Sequence, residues 1–169
     1  MVHNEKSIVF IGFMGAGKTT VGKLVAQKLN RKFLDTDEVI EKEFGMPIPQ
    51  VFKAFGEKAF REKEKSVITE LCKRQSLVLS LGGGAFLQEE IRRACLFNSI
   101  VIFLDISFDS WKDRLELIIG NRPVLQGKSI EETQELYDRR QEVYVNHHLK
   151  IQVDNKSPDE IADEILVNL

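Results

Sequence analysis

The sequence predicts an α/β fold: a three-layer sandwich in which helices cover both faces of a parallel sheet. Three observations lead there. The runs "SIVFI", "SLVLSL" and "SIVIFLDI" are continuously apolar, without the alternation of a strand that has one wet face. Segments with apolar residues at three-and-four spacing separate them along the chain. Strands alternating with helices imply parallel pairing through right-handed crossovers.

Taken in order, residues 8–11 form the first strand, which ends in the glycine-rich stretch "GFMGAGKTT" at residues 12–20. That loop opens a helix in which Val21, Leu24, Val25, Lys28 and Leu29 keep helical spacing. "KFLDTD" reads as a second short strand whose C-terminal edge carries Asp35 and Asp37. From Glu38 the pattern is helical, breaks at "GMPIP", and resumes through "VFKAFGEKAFREKEKSVITELCK". "SLVLSL" runs into Gly82, Gly83 and Gly84, and "SIVIFLDI" is the next strand. Ser129 with Glu132 marks the start of one helix, and Ser157, Pro158 and Glu160 mark the last, with "LKIQV" as a strand between them. No repeat, linker or low-complexity tract divides the chain, so 1–169 is expected to be a single domain.

At 169 residues the chain can bury a substantial core, and 43% apolar with 30% charged residues is ordinary for a globular protein. A net charge of −2 gives no global attraction to nucleic acid or acidic membranes, so anion binding must be local. Cys72 and Cys95 lack metal spacing and read as buried thiols in a reducing compartment. No run is long and apolar enough to span a bilayer, and "MVHNEKSIVF" has no signal or transit character, so the chain reads as cytosolic.

Gly12, Gly17, Lys18 and Thr19 fit G-x-x-x-x-G-K-[ST] between a strand and a helix, the context that the motif requires. Successive backbone N–H groups and the helix N-terminus can enclose a β-phosphate, with Lys18 on the β/γ oxygens and the Thr19 hydroxyl on Mg²⁺. A glycine turn without a ligand is the alternative, and the complete motif argues against it. The phosphate is read as that of a nucleoside triphosphate. The length leaves little room for a helicase core or a motor, and no basic stripe interleaved with aromatics points to a nucleic-acid translocase. A small kinase must instead offer an acceptor site and a cover that excludes water.

Asp35 and Asp37 are suited to holding Mg²⁺ and positioning an acceptor hydroxyl, and helix capping by Asp37 explains the same stretch equally well. Arg61, flanked by Glu57 and Lys65, fits a surface ion-pair ladder or a ligand clamp. Three glycines at a buried strand end remove side chains where something approaches closely. "GNRPVLQGKS" joins two helices with glycine at each end and Arg122 within, as a mobile flap or a surface loop would. Arg139 and Arg140 are adjacent on a helix, so one of them at most enters a common site.

Together these pieces resemble the shikimate kinase family over nearly the whole chain. The motifs appear in order as "GFMGAGKTT", "FLDTDEVIE", "GMPIPQVFKAFGEKAFREKE", "LGGGAF", "NRPVL" and "RRQEVY". The first is generic; D-T-D, G-E-x-x-F-R-x-x-E and the triple glycine are specific in combination. The resemblance implies a nucleoside-monophosphate-kinase-like fold with a five-stranded parallel sheet, an acceptor-binding region at about 35–64 and a lid at about 117–129. It implies nucleotide contacts from Gly12, Met14, Gly15, Ala16, Gly17, Lys18, Thr19 and Thr20, with Arg114 on adenine and Arg122 over the transferred phosphate. The turn at residues 155–158 would be the other wall for adenine. Thr19 and Asp35 would support Mg²⁺. Asp37 would hold the acceptor hydroxyls and take the proton, so Asp37, Lys18 and Arg122 are the expected catalytic groups. Arg61 and Arg140 would clamp shikimate's carboxylate, Gly83 and Gly84 would approach it, and Phe52 and Phe60 would line its pocket.

Under that resemblance Arg61 moves from ion pair to clamp, since a guanidinium fork fits a carboxylate. Asp105 ends an apolar strand but takes a structural reading, and His147 and His148 are explained by a helix C-terminus. Leu81 and Val124 depart from the residues usual in the family. The expected partners are ATP and shikimate, for a monomer without nucleic acid or membrane. The rivals are another small-molecule kinase such as a gluconate kinase and a binding domain that has lost catalysis. Two acceptor-side arginines argue against a neutral acceptor; retention of Asp37, Arg61 and Arg122 argues against lost catalysis.

Overall fold

The apolar runs become strands of one parallel sheet in a computed structural model that describes residues 5–118 and 129–169. The strands are β1 (Ile8–Ile11), β2 (Lys32–Asp35), β3 (Leu77–Ser80), β4 (Ile100–Asp105) and β5 (Leu149–Gln152), in the order β2-β3-β1-β4-β5. All four pairings are parallel; Ile8 faces both Val78 and Ile100, and Asp35 faces Ser80. This register gathers the C-terminal ends of β2, β3 and β1 at one edge, where the chain leaves for its loops. In open α/β sheets ligands bind at such an edge.

The helices are α1 (Lys18–Leu29), α2 (Thr36–Phe44), α3 (Ile48–Leu71), α4 (Glu89–Asn98), α5 (Phe108–Ile118), α6 (Ile130–Tyr144) and α7 (Pro158–Asn168). Alternate strand residues feed two apolar layers. Ile8, Phe10, Ile102 and Leu104 pack with Val21 and Val25 of α1 and with Ile161 and Ile165 of α7. Val9, Ile11, Leu79 and Phe103 pack on the other face with Ile68 and Leu71 of α3 and Ile91 of α4. Every β1 side chain is buried, which is why that run carries no polar residue. The predicted three-layer α/β/α sandwich is the observed one. Leu81 joins the second layer, and Cys72 and Cys95 are buried in it with free thiols.

Three local readings are corrected. The strand written as "KFLDTD" stops at Asp35, because the Asp35 carboxylate accepts from the N–H groups of Asp37 (2.9 Å) and Glu38 (3.3 Å) and starts α2 at Thr36. Asp35, not Asp37, is the cap. The helix through "VFKAFGEKAF" bends at Gly56, whose φ of 87° and ψ of 165° suit glycine alone, so the arm bearing Phe52 meets the arm bearing Arg61 at an angle. His148 lies beyond α6: its Nδ1 accepts from the Val101 N–H at 2.9 Å, joining β5 to β4 as a neutral ring. Burial and the nearby Lys6 charge lower its pKa, in keeping with that role.

Candidate active site

The loop between β1 and α1 is turned by Gly15 (φ 81°) and Gly17 (φ 98°). α1 has no side-chain cap and no acidic residue in its first turn, whereas α2, α6 and α7 have both. The N-terminal N–H groups of α1 are therefore left to an anion. Met14, Gly15, Gly17, Lys18, Thr19 and Thr20 line a cavity of about 240 Å³, closed on the far side by Asp35, Asp37, Gly82 and Gly83. Lys18 Nζ donates to the carbonyls of Gly12 (2.5 Å) and Phe13 (3.3 Å). Thr19 Oγ1 donates to Asp35 Oδ2 at 3.5 Å. Ala16 turns into the core and its N–H donates to the Phe13 carbonyl, so it stands behind this wall.

An aromatic cluster holds the loop from beneath. Phe13 meets the rings of Trp111 and Tyr137 edge-on, with centroids at 5.4 and 5.1 Å. Trp111 is buried, and its indole N–H donates to the Met14 carbonyl at 3.0 Å. Arg114, one turn further on α5, donates to the Gly15 carbonyl at 2.9 Å. It also faces Asn155 and Lys156 across a cavity of about 240 Å³, so the two elements expected to flank adenine do come together.

A second cavity, about 260 Å³, adjoins the first. Its walls are Ile48, Phe52, Phe60, Arg61, Glu64, Gly84 and Arg140, and it shares Met14, Asp37, Gly82 and Gly83 with the phosphate cavity. The Phe52 and Phe60 rings pack edge-on at 4.9 Å as its apolar side. The triple glycine is its floor. A Cβ at Gly82 would lie 2.6 Å from an Asp37 carboxylate oxygen, at Gly83 2.9 Å from Arg140 Nη1, and at Gly84 2.9 Å from Arg61 Nη2. Each glycine thus makes room for one polar side chain.

Those side chains are held from behind. Thr36 Oγ1 donates to the Ser80 carbonyl at 3.2 Å and fixes the start of α2 against β3, which sets Asp37 over Gly82. Burial, then the neighbouring carboxylates of Asp35 and Glu64, push the Asp37 pKa up to about 6 against the opposing Lys18 charge. Arg61 Nη1 donates to the buried Glu64 at 2.8 Å, and Gln88 Nε2 donates to the same Glu64 oxygen at 2.9 Å. Glu57 lies at a looser 3.6 Å from Arg61, and Lys65 pairs with Glu90 instead. In place of the surface ladder that Glu57 and Lys65 alone suggest, Arg61 is tethered to a buried carboxylate: charge-balanced by Glu64, the guanidinium still faces the cavity.

Three participants were not among the expected contacts. Gly82 belongs with Gly83 and Gly84. Glu64 is the last residue of G-E-x-x-F-R-x-x-E, three positions after Arg61, so helical spacing signals it. Tyr144 bonds to both loops, and nothing local in its sequence reveals that. Arg139 is exposed, with its Nε donating to the Glu135 carbonyl, while Arg140 enters the cavity. Arg122 and Val124 lie outside the described residues, as do positions 119–128 of the expected lid.

The fold and these paired cavities define a P-loop phosphotransferase with a nucleotide site and a small-acceptor site. A family model described as shikimate kinase matches residues 14–169. A shikimate kinase from Oceanobacillus iheyensis is 53% identical over 98% of this chain and 90% of its own length. One from Bacillus subtilis is 49% identical over 98% and 89%. Among solved structures, shikimate kinase from Acinetobacter baumannii in complex with shikimate superposes with a TM-score of 0.87 at 35% identity, covering 96% of this chain and 92% of that one. The chain belongs to the shikimate kinase family.

Proposed function

We propose that this chain transfers the γ-phosphoryl group of ATP to the 3-hydroxyl of shikimate, giving shikimate 3-phosphate and ADP. The observation that carries the reading is Asp37, whose carboxylate borders both cavities at once. A group in that place can accept the acceptor's hydroxyl proton while its oxygen attacks the γ-phosphorus and the bond to the β–γ bridging oxygen breaks. A pKa of about 6 keeps Asp37 ionised at neutral pH yet basic enough to help. Lys18, withdrawn from the loop carbonyls, meets the β/γ oxygens, and backbone N–H groups of residues 14, 15 and 17–20 hold the rest. Arg61 and Arg140 face a cavity walled by Phe52 and Phe60, which suits a carboxylate on a compact ring. Arg114 and the turn at 155–158 would take the adenine.

Thr19 and Asp35 fit Mg²⁺. They offer a hydroxyl and a carboxylate oxygen on the phosphate wall, and no group of three or more His, Cys, Asp or Glu forms a protein cage among the described residues. Mg²⁺ usually keeps several waters and shares the phosphates in such sites. When bound, it neutralises charge on the phosphate oxygens. The family pattern assigns Arg122 to the same task, over the transferred group. The same proposal takes the chain as one cytoplasmic domain acting as a monomer, which sedimentation of the purified protein checks; among the described residues no helix is long and apolar enough to cross a membrane.

ADP release from MgATP, with shikimate and with gluconate and quinate as controls, tests the reading. A rise with shikimate alone is expected. Equal rates with gluconate would transfer the assignment to the rival kinase class, and ATP binding without any stimulated turnover would reject the acceptor assignment.

A further inference from the structure

Tyr144 closes α6 with its side chain buried, its ring packed on Phe103 at 5.2 Å between centroids. Its hydroxyl oxygen stands 3.1 Å from the Gly12 carbonyl oxygen and 3.1 Å from that of Gly83. One carbonyl opens the phosphate loop; the other belongs to the acceptor floor. Arg140, one turn earlier on α6, lies over Gly83, its Nη1 2.9 Å from where a Cβ on that glycine would stand. A phenol has one proton to donate and lone pairs to accept with. With one proton, Tyr144 can donate to only one of the two carbonyls at a time. The Gly12 carbonyl has a second suitor, because Lys18 Nζ donates to it at 2.5 Å.

We propose that the Tyr144 hydroxyl is a positioning group that couples the two sites, so that acceptor and nucleotide each raise the other's affinity. The inference rests on the shikimate reading above. An acceptor held by Arg140 over Gly83 fixes that stretch of the floor, and the phenol's one proton then settles on the Gly12 carbonyl. That carbonyl then no longer depends on Lys18, and the ammonium moves to a phosphate at lower cost. Linkage makes the effect reciprocal. A Tyr144 that only filled space would stabilise the fold without linking the ligands.

The test is Tyr144→Phe, which keeps the ring and removes the hydroxyl. Trp111, the one tryptophan of the chain, donates to the Met14 carbonyl and reports nucleotide binding by its fluorescence. MgADP is titrated with and without saturating shikimate, and shikimate binding alone is measured by calorimetry. In the unmodified chain shikimate is expected to lower the MgADP Kd about fivefold or more, a typical coupling. In Tyr144→Phe that ratio is expected to fall to about one, with each ligand still binding alone. A ratio near one in the unmodified chain, or an undiminished ratio in the variant, overturns the coupling and leaves the acceptor assignment standing. Calorimetry showing no shikimate binding overturns both. Should the variant not fold, hydrogen exchange in the unmodified chain decides: MgADP alone is expected to slow amide exchange at 82–84, and no slowing overturns the proposal.

Discussion

The phosphate cavity takes most of its wall from six of the seven positions 14–20, whereas the acceptor cavity draws its wall from α2, α3, the triple glycine and α6. The first offers backbone N–H groups and an uncapped helix end, which glycines leave uncovered. The second works through side chains whose supports reach across the fold: Thr36, beside Asp37, is fixed on the Ser80 carbonyl, and Glu64, which holds Arg61, is itself held by Gln88. A site made of contiguous backbone is robust and generic. A site made of converging side chains is specific, and each member can be removed singly.

The largest expected effect breaks the boundary between the two. Asp37→Asn should lower kcat by about 10²–10⁴-fold, the usual range for a general base, while MgATP binding is unchanged; stopped-flow turnover alongside nucleotide titration checks it. Gly82→Ala tests the floor beneath that carboxylate. With a Cβ 2.6 Å from the Asp37 oxygen, kcat should drop about 100-fold, as small displacements of a reacting group do, and a normal kcat would show that the carboxylate has room to move.

Arg61→Ala sharpens the contrast by acting on one side only. The KM for shikimate should rise about 10–100-fold, in line with a lost charged hydrogen bond, with the KM for ATP unchanged; steady-state kinetics in both substrates separates the two.

The pH dependence follows from Asp37. Below about pH 6 kcat/KM should fall about tenfold per unit as the base is protonated. Because the folded value lies above the ordinary 3.8, this group's contribution to stability is complete below about pH 4 and lost as pH rises through about 6. Thermal melts of unliganded Asp37→Asn should lack that decline. The smallest effect is on the nucleotide side: Trp111→Phe removes one indole donor from the Met14 carbonyl, about 1 kcal/mol, and should raise the KM for ATP roughly fivefold while leaving that for shikimate alone.

Much of this was legible in the sequence wherever the cause is local. The continuous apolar runs declared a doubly covered parallel sheet, and G-x-x-x-x-G-K-T declared a phosphate loop, because burial pattern and loop conformation depend on neighbours in the chain. Arg61 was ambiguous for the opposite reason. Its flanking Glu57 and Lys65 suggest a surface ladder, and only the buried Glu64 and the glycine floor turn the guanidinium inward. The cap of α2 was ambiguous in the same way and falls on Asp35 rather than Asp37: capping is a one-residue question that periodicity cannot resolve.

The sequence by itself determined the layer architecture, the phosphate loop and the residue types of a shikimate kinase, since propensity, periodicity and the family's motifs all lie along the chain. Tertiary structure alone decided that Gly82, Gly83 and Gly84 seat Asp37, Arg140 and Arg61 in turn, and that Tyr144 joins the two loops. Those contacts link residues as far apart as 12 and 144. Their geometry is set by where the sheet order and helix packing deliver each side chain, which no local pattern encodes.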